Sequence, residues 1–462
     1  MLRTKTKTHM QTTSESPGFF EKFNQWLSGS ITIRIFSITV LVLLLMIPNS
    51  MIRDIIYERQ STNEEVYRDI RQIWGQAQTV CGPVVSVPYR VLSRDDKGTL
   101  TQTWYWAHFL PRELHVAGNV QPEIRHRGIY EMAVYATDLE VKGVFDIPDA
   151  QSLGIAQEDF NLEGAIMCVG IPDMRGIKEK VMLKTPVQNV EFGPGIPTAN
   201  VISEGISTPI QFPAEGELTF SLNLQLNGSG NLSFIPLGKE TTVSLASPWP
   251  HPSFKGNFSP TSRNITKDGF TANWKVLDLN RNFPQAWKGQ RQGIYESAFG
   301  VDLLIPVDHY QQSMRSAKYA IMFISLTFLV FFFIETINRK RIHPIQYILV
   351  GLALSLFFVL LLSLSEHIGF NAAFLSAATG VTLLITIYSS GMLADRKLTA
   401  LMAVLLSVLY GFIYTILQLE DMALLVGSIG LFAVLAAVMF WSRKVDWYAY
   451  SDSRKLPPTE QQ

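Results

Sequence analysis

Histidine and cysteine are the side chains best suited to metal binding and nucleophilic chemistry near neutral pH. The chain of 462 residues has eight of the first and two of the second. His108, His115 and His126 are close in sequence, yet neither H-E-x-x-H nor another ligand spacing joins them, so they predict no metal site. Cys168 sits in the apolar run Ala165-Ile166-Met167-Cys168-Val169, where a thiol acts as a small hydrophobe. Cys81 has no marked partner, and both thiols are expected to be unpaired. No G-x-S-x-G elbow, S-x-x-K pair or phosphate-cradling loop occurs. No catalytic residue and no cofactor site follow from these residues.

Two other groups of side chains could carry function. The segment Ser247-Pro248-Trp249-Pro250-His251-Pro252-Ser253-Phe254 is stiffened by three closely spaced prolines, which fix an extended backbone lacking amide donors. Trp249, Pro250, His251, Pro252 and Phe254 form either a recognition loop or a plug at a domain rim. The second group lies at the edges of apolar stretches. Glu335 precedes Arg339 by four residues, the favourable order for a helical ion pair. It is expected to be a water-reached partner of Arg339, Lys340 and Arg341. Glu366 and His367 are expected in a turn at the opposite membrane edge. Ionisable groups deep in a membrane are functional by default, but none falls at the centre of a stretch.

The elements that position these groups follow from charge. Lys+Arg and Asp+Glu balance at 39 each, and without a basic run this excludes a nucleic-acid surface. From Tyr319 to Ser442 only 10 of 124 residues are charged, the depletion expected of lipid-embedded chain. Six stretches are long and apolar enough to cross a bilayer. They are 35–52, 319–337, 344–365, 370–392, 398–419 and 422–442, the last five joined by short loops. Within 370–392, Ala372, Ser376 and Gly380 form a small-xxx-small face expected to pack helices closely. Because no small-residue cleavage site follows the first stretch, it reads as a retained signal anchor. Fourteen Lys and Arg fall on the N-terminal tail, the 338–343 and 394–397 loops and the C-terminal tail, against none in the two alternate short loops. The positive-inside rule then sets both termini in the cytoplasm and residues 53–317 outside.

The predicted organisation is a cytoplasmic tail (1–34), a signal-anchor helix (35–52), an outer domain (53–317), a five-helix bundle (318–442) and a second cytoplasmic tail (443–462). Val66, Ile70, Ile73, Trp74 and Ala77 recur at helical spacing, predicting an amphipathic helix packed on the outer domain. The period then changes to two. Leu218, Phe220, Leu222, Leu224 and Leu226 alternate with polar residues as in a half-buried strand. Asn227-Gly228-Ser229-Gly230 reads as a turn before the run 231–235. Similar runs at 84–92, 100–110, 129–136, 139–145, 241–246, 270–276 and 299–305 predict an antiparallel, sandwich-like β domain. The fold class is a polytopic α-helical membrane protein with a β-rich periplasmic domain between its first two transmembrane helices.

The run from Lys318, KYAIMFISLTFLVFFFIET, followed by HPIQYILVGLALSLFFVLLLSLSEHIGF, resembles the CreD family of bacterial inner-membrane proteins. WPHPSF at 249–254, Asp173-Met174-Arg175-Gly176 and Asp446-Trp447-Tyr448 carry the same resemblance, which extends over nearly the whole chain. It implies a Gram-negative inner-membrane protein tied to cell-envelope integrity and to the regulon of a carbon-source-responsive two-component system. It implies no catalytic residue. The expected function is a non-enzymatic envelope factor, with membrane lipid and a periplasmic or envelope component as partners. A small-molecule or lipid transporter component and a membrane enzyme acting on envelope material are the alternatives.

Overall fold

The computed structural model describes residues 31–94, 100–198, 201–289, 292–303, 309–338, 342–419 and 422–443. The chain forms two compact units, one from Met1–Gln60 and Asp308–Gln462, the other from Ser61–Val307. The first helix, α1 (Ile31–Trp74), has residues in both. It merges the predicted anchor and the predicted amphipathic helix into one element, running through Pro48 without a break.

The membrane unit continues with α2 (His309–Lys318), α3 (Ala320–Ile337), α4 (Pro344–Ile368), α5 (Phe370–Leu393), α6 (Arg396–Gln418) and α7 (Ala423–Ser442). Six of these seven helices, α2 excepted, are long and apolar enough to cross a membrane. Their ends are written in the sequence. Pro344 opens α4 with His343 capping it, and Asp395 caps α6 by accepting from the Lys397 and Leu398 amides. Leu45, Ile52 and Ile56 form the buried stripe of α1. A Cβ on Gly351 of α4 would stand 2.2 Å from Leu45 and 2.9 Å from Phe328, so this glycine lets α1, α3 and α4 approach closely. The small-residue face predicted on α5 is not used. Ala372, Ser376 and Gly380 are exposed, and the buried stripe is Ala373, Ala377 and Val381, one position on. Phe374, also buried, decides this by stacking on Phe357 and Tyr410, which turns the small residues toward lipid.

The β domain is built from two sheets. One runs Pro252–Gly256, Phe299–Leu303, Asn231–Phe234, Gln78–Arg94, Ile166–Gly170, Gly205–Pro209 and Gly193–Pro194, with Leu100–Phe109 and then Ala286–Lys288 pairing outward from Gln78–Arg94. The other runs Ser262–Thr266, Gly269–Leu277, Glu240–Ser247, Glu113–Arg127, Tyr130–Asp146, Glu217–Ser229, Met182–Lys184 and Asn189–Glu191. Inward side chains of both sheets make one continuous hydrophobic core, with Trp274, Tyr135, Phe145 and Phe299 fully buried.

The sheets are mixed where sequence predicted antiparallel. Gln78–Val80 runs parallel to Leu232–Phe234, and Glu240–Ala246 parallel to Glu113–Asn119. Each parallel pair is joined by well over a hundred intervening residues that contain other strands, so no helical crossover is needed to return the chain. The predicted turn at Asn227 to Gly230 is also different. Asn227, Gly228 and Ser229 continue the strand opposite Ala136, Tyr135 and Val134, and only Gly230, at φ +71°, breaks it. The chain there passes from one sheet to the other. Gly228 serves close approach instead of turning, since a Cβ would lie 2.3 Å from the Tyr135 hydroxyl.

Candidate functional site

The outward face of the Glu113–Arg127 sheet carries a lateral row, Asn223, Glu140, Ala117, Ser244 and Asn273, set side by side by strand register. A second row places Asp138, Asn119, Ala246 and Thr271 abreast. The two central strands present short side chains, Ala117, Ser244 and Ala246, and the flanking strands present longer ones. The result is a shallow trough of about 720 Å³, walled by Asp138, Glu140 and Asn223 on one side and Thr271 and Asn273 on the other. A second recess of about 350 Å³ adjoins it through Asn119, Ala246 and Thr271 and ends at Pro248 and Asp268. No Lys or Arg lines either recess. The trough can therefore offer amide, hydroxyl and carboxylate groups to a hydrogen-bonding ligand. The sequence shows its polar alternation along Thr219 to Gln225, but which strands lie abreast depends on long-range pairing.

The Pro-rich segment begins where the trough ends, and its aromatic residues face the core. Phe254 stacks edge-on against Phe270 and Trp274 at 5.7 and 5.6 Å. Trp249 packs on the same core, its indole donating to the His251 carbonyl at 3.1 Å. Pro252 opens a strand paired with Phe299–Leu303, leaving Pro250 in the preceding bend. These residues close the sandwich rim, and His251 is exposed.

The Asp173-Met174-Arg175-Gly176 motif ties the end of α1 to the β domain. Asp173, 6% exposed, accepts from the Gln76 amide at 2.9 Å and from Arg175 Nε at 2.9 Å. Arg175 Nη1 in turn donates to the Gln72 carbonyl at 2.9 Å. Burial works to raise the Asp173 carboxyl, but hydrogen bonds from the Arg175 side chain and from the Gln76 and Arg175 amides, with the Arg175 charge, hold it below the ordinary carboxylate value. Trp74 donates to the Tyr135 carbonyl at 3.2 Å and lies beneath the Arg125 guanidinium at 4.6 Å. Val66 and Ile70 are half-buried as the helical spacing predicted, whereas Ile73 is 83% exposed and Ala77 lies past the helix end.

The histidines do not gather. His108 is buried, sharing a 2.9 Å hydrogen bond with Ser86 and packed on Trp287. His115 and His126 are exposed on the other sheet, beside Thr242 and Glu131. Among the described residues no three His, Cys, Asp or Glu side chains form a metal-holding group. Burial lowers His108 to about 4, and with Ser86 also buried this pair is enclosed core with no opening to a substrate. Cys81 and Cys168 are both free and buried. Burial pushes each thiol up to about 12, against a lowering hydrogen bond with Tyr295 for Cys81 and with Ser86 for Cys168.

In the membrane unit the structure corrects the reading of Glu335. It is 5% exposed, and its partners are Arg34 of α1 at 3.2 Å and the Tyr347 hydroxyl of α4 at 2.9 Å. Arg339, Lys340 and Arg341 lie outside the described residues. The Ile342 amide also donates to Glu335, so three helices and a loop meet on one carboxylate. Glu366 and His367 lie in the last turn of α4 instead of a loop, because the helix persists to Ile368 and ends only at Gly369, its C-cap. Tyr310 of α2 donates to Glu366 at 3.1 Å, while His367 is exposed. Asn49 of α1 is 1% exposed, and neither amide atom has a hydrogen-bond partner.

This architecture defines a multi-pass membrane protein that carries a mixed β sandwich between its first and second spans, with a polar trough on one sheet. The chain matches the family described as Inner membrane protein CreD over residues 30–448. It is 35% identical over 426 residues to Inner membrane protein CreD of Escherichia coli (strain K12), covering 89% of this chain and 92% of that relative. The chain belongs to the CreD family, and it is an inner-membrane, multi-pass protein.

Proposed function

We propose that the protein is a non-enzymatic envelope factor, with both termini cytoplasmic and the β domain in the periplasm. The domain engages a polar envelope component through the trough, and the helical unit holds it at the membrane. The trough carries this reading: it is a concave, hydrogen-bonding surface beside a rim closed by Trp249 and Phe254. The distribution of fourteen Lys and Arg on alternate segments supports the orientation.

Orientation is tested with single cysteines introduced between Asp54 and Asp69, which should react with an impermeant thiol reagent in intact cells. Cysteines at 339–341 should not, and the reverse pattern overturns the topology. Engagement is tested by a photo-crosslinking side chain at Ser244 of the full-length protein in native membranes. A discrete adduct is expected there, absent for the same probe at exposed Glu179 and lost when Ala117→Arg fills the trough floor. Adducts indifferent to probe position, or none at Ser244, overturn the assignment.

A further inference from the structure

Strands Gln78–Arg94 and Leu100–Phe109 run on past the body of their sheet as a two-stranded ribbon, with Arg90 opposite Trp104, Leu92 opposite Gln102 and Arg94 opposite Leu100. From Val91 to Arg94 and from Leu100 to Tyr105 every residue is exposed, including Leu100 at 64% and Trp104 at 51%. A ribbon of two strands is marginal in water and gains stability from a third strand or a packed face. The Gln78–Arg94 side has some support, since Tyr89 bridges to Phe160 and the Pro88 carbonyl accepts from the Asn161 amide. The Leu100–Phe109 side is open. Ala286–Lys288 pairs with it only at Ala107–Phe109, and among the described residues no strand lies beside 100–106.

The residues of the open edge select its partner. Leu100-Thr101-Gln102-Thr103-Trp104-Tyr105-Trp106 contains neither a charge nor a proline, the features that keep exposed edges from pairing. A neutral strand repels no copy of itself. Residues opposed across antiparallel strands share one hydrogen-bonding type, so a two-fold axis relating two copies must pass through a residue. Placed at Thr103, the middle of the open edge, that axis opposes Thr103 to itself, Leu100 to Trp106 and Gln102 to Trp104. Threonine pairs and apolar–aromatic pairs of this kind stabilise sheets. A bilayer is the poorer fit, because the sequence joining the two strands carries Asp95, Asp96 and Lys97, which lipid disfavours.

We propose that residues 100–106 are the interface of a homodimer, in which this strand pairs antiparallel with the same strand of a second copy about an axis at Thr103. The test is disulfide crosslinking of the full-length protein in isolated membranes, with single cysteines at Thr101, Thr103 or Tyr105 and a mild oxidant. The native Cys81 and Cys168 are buried and give no background link. At the axis the two Cα atoms stand about 4.5 to 5.5 Å apart, inside the roughly 4.4 to 6.8 Å that a disulfide spans. Two residues away, at Thr101 or Tyr105, the two copies of one residue are about 14 Å apart, beyond its reach. Thr103→Cys is therefore expected to give a covalent dimer, and Thr101→Cys and Tyr105→Cys about tenfold less of it or none. Thr103→Lys sets two like charges opposite each other and should shift the purified protein from dimer to monomer. All of these positions are exposed, so the substitutions leave the core intact. Equal linkage at all three positions reveals parallel or random association and overturns the proposal. Absence of the Thr103→Cys dimer overturns it too, whether that thiol stays open to an impermeant reagent, is shielded by lipid or links to a different protein. A purified protein whose mass is the same with and without Thr103→Lys also contradicts it.

Discussion

Arg34 Nη1 stands 3.2 Å from Glu335 Oε1, with the side chains 13% and 6% exposed. Three hundred residues separate these partners in sequence, and their pairing fixes the first helix against the third. A buried ion pair adds little net stability over a well-packed apolar pair, but removing one partner leaves an uncompensated charge.

Glu335→Gln is therefore expected to destabilise the membrane unit by about 3 to 5 kcal/mol, the usual cost of stranding one member of a buried pair. Membrane immunoblots should show lower abundance, and thermal unfolding in detergent a lower midpoint. The double variant Arg34→Met with Glu335→Leu should recover most of the loss. A single variant as abundant and stable as wild type would mean that water reaches the carboxylate.

Asp173→Asn is expected to loosen the junction between the Gln72–Gln76 segment and the β domain by about 1.5 to 3 kcal/mol, the range for hydrogen bonds to a charged group. The folded-state pKa of Asp173 is depressed, so its stabilisation is complete above the ordinary carboxylate value. It fades as pH falls through the lower folded value. The gap between wild type and variant should thus be wide at neutral pH and close in strong acid. Denaturant unfolding at two pH values measures it, and a gap that widens in acid would contradict the assignment.

What the sequence disclosed and what it hid follow from range. Hydropathy is local, and the predicted spans 344–365 and 370–392 match helices Pro344–Ile368 and Phe370–Leu393 closely. Alternation is also local, so Leu218 to Leu226 was readable as one buried strand face. Partner choice is not local. The i,i+4 spacing pointed Glu335 at Arg339, which lies outside the described residues, but gave no sign of Arg34, the partner that helix packing brings to it. The polar trough needs Ala117 beside Ser244, a parallel register that no short-range signal encodes. Helix α2 was missed because His309–Lys318 is polar, and it is held by bundle packing at Tyr310 and Ala317.

The two thiols are expected to be silent in the folded protein. Thiolate is the reactive form, and burial raises both Cys81 and Cys168 to about 12. Native protein should take up no maleimide, and denatured protein two equivalents. Electrophoretic mobility should be the same with and without reductant. A shift abolished by Cys168→Ser would reveal a disulfide and contradict the free thiols.

His108 supplies a pH dependence in a different window from Asp173. Its imidazole is held neutral down to about pH 4 by burial, whereas in an unfolded chain it would titrate near 6.5. Between those values the unfolded state binds a proton that the folded state does not. Stability from this residue is therefore complete above about pH 6.5 and declines as pH falls, by up to about 1.4 kcal/mol per pH unit. From pH 7 to 4.5 the loss should amount to about 2 to 3 kcal/mol. The Asp173 contribution is still largely intact over this range, because a depressed carboxyl titrates lower. His108→Gln retains a polar partner for Ser86 and removes the titration. Its urea midpoint, followed by tryptophan fluorescence of the full-length protein in detergent, should fall less between these pH values than that of wild type. Parallel losses in the two proteins would place the titrating group elsewhere, whereas a flatter variant assigns it to the enclosed imidazole beside Trp287.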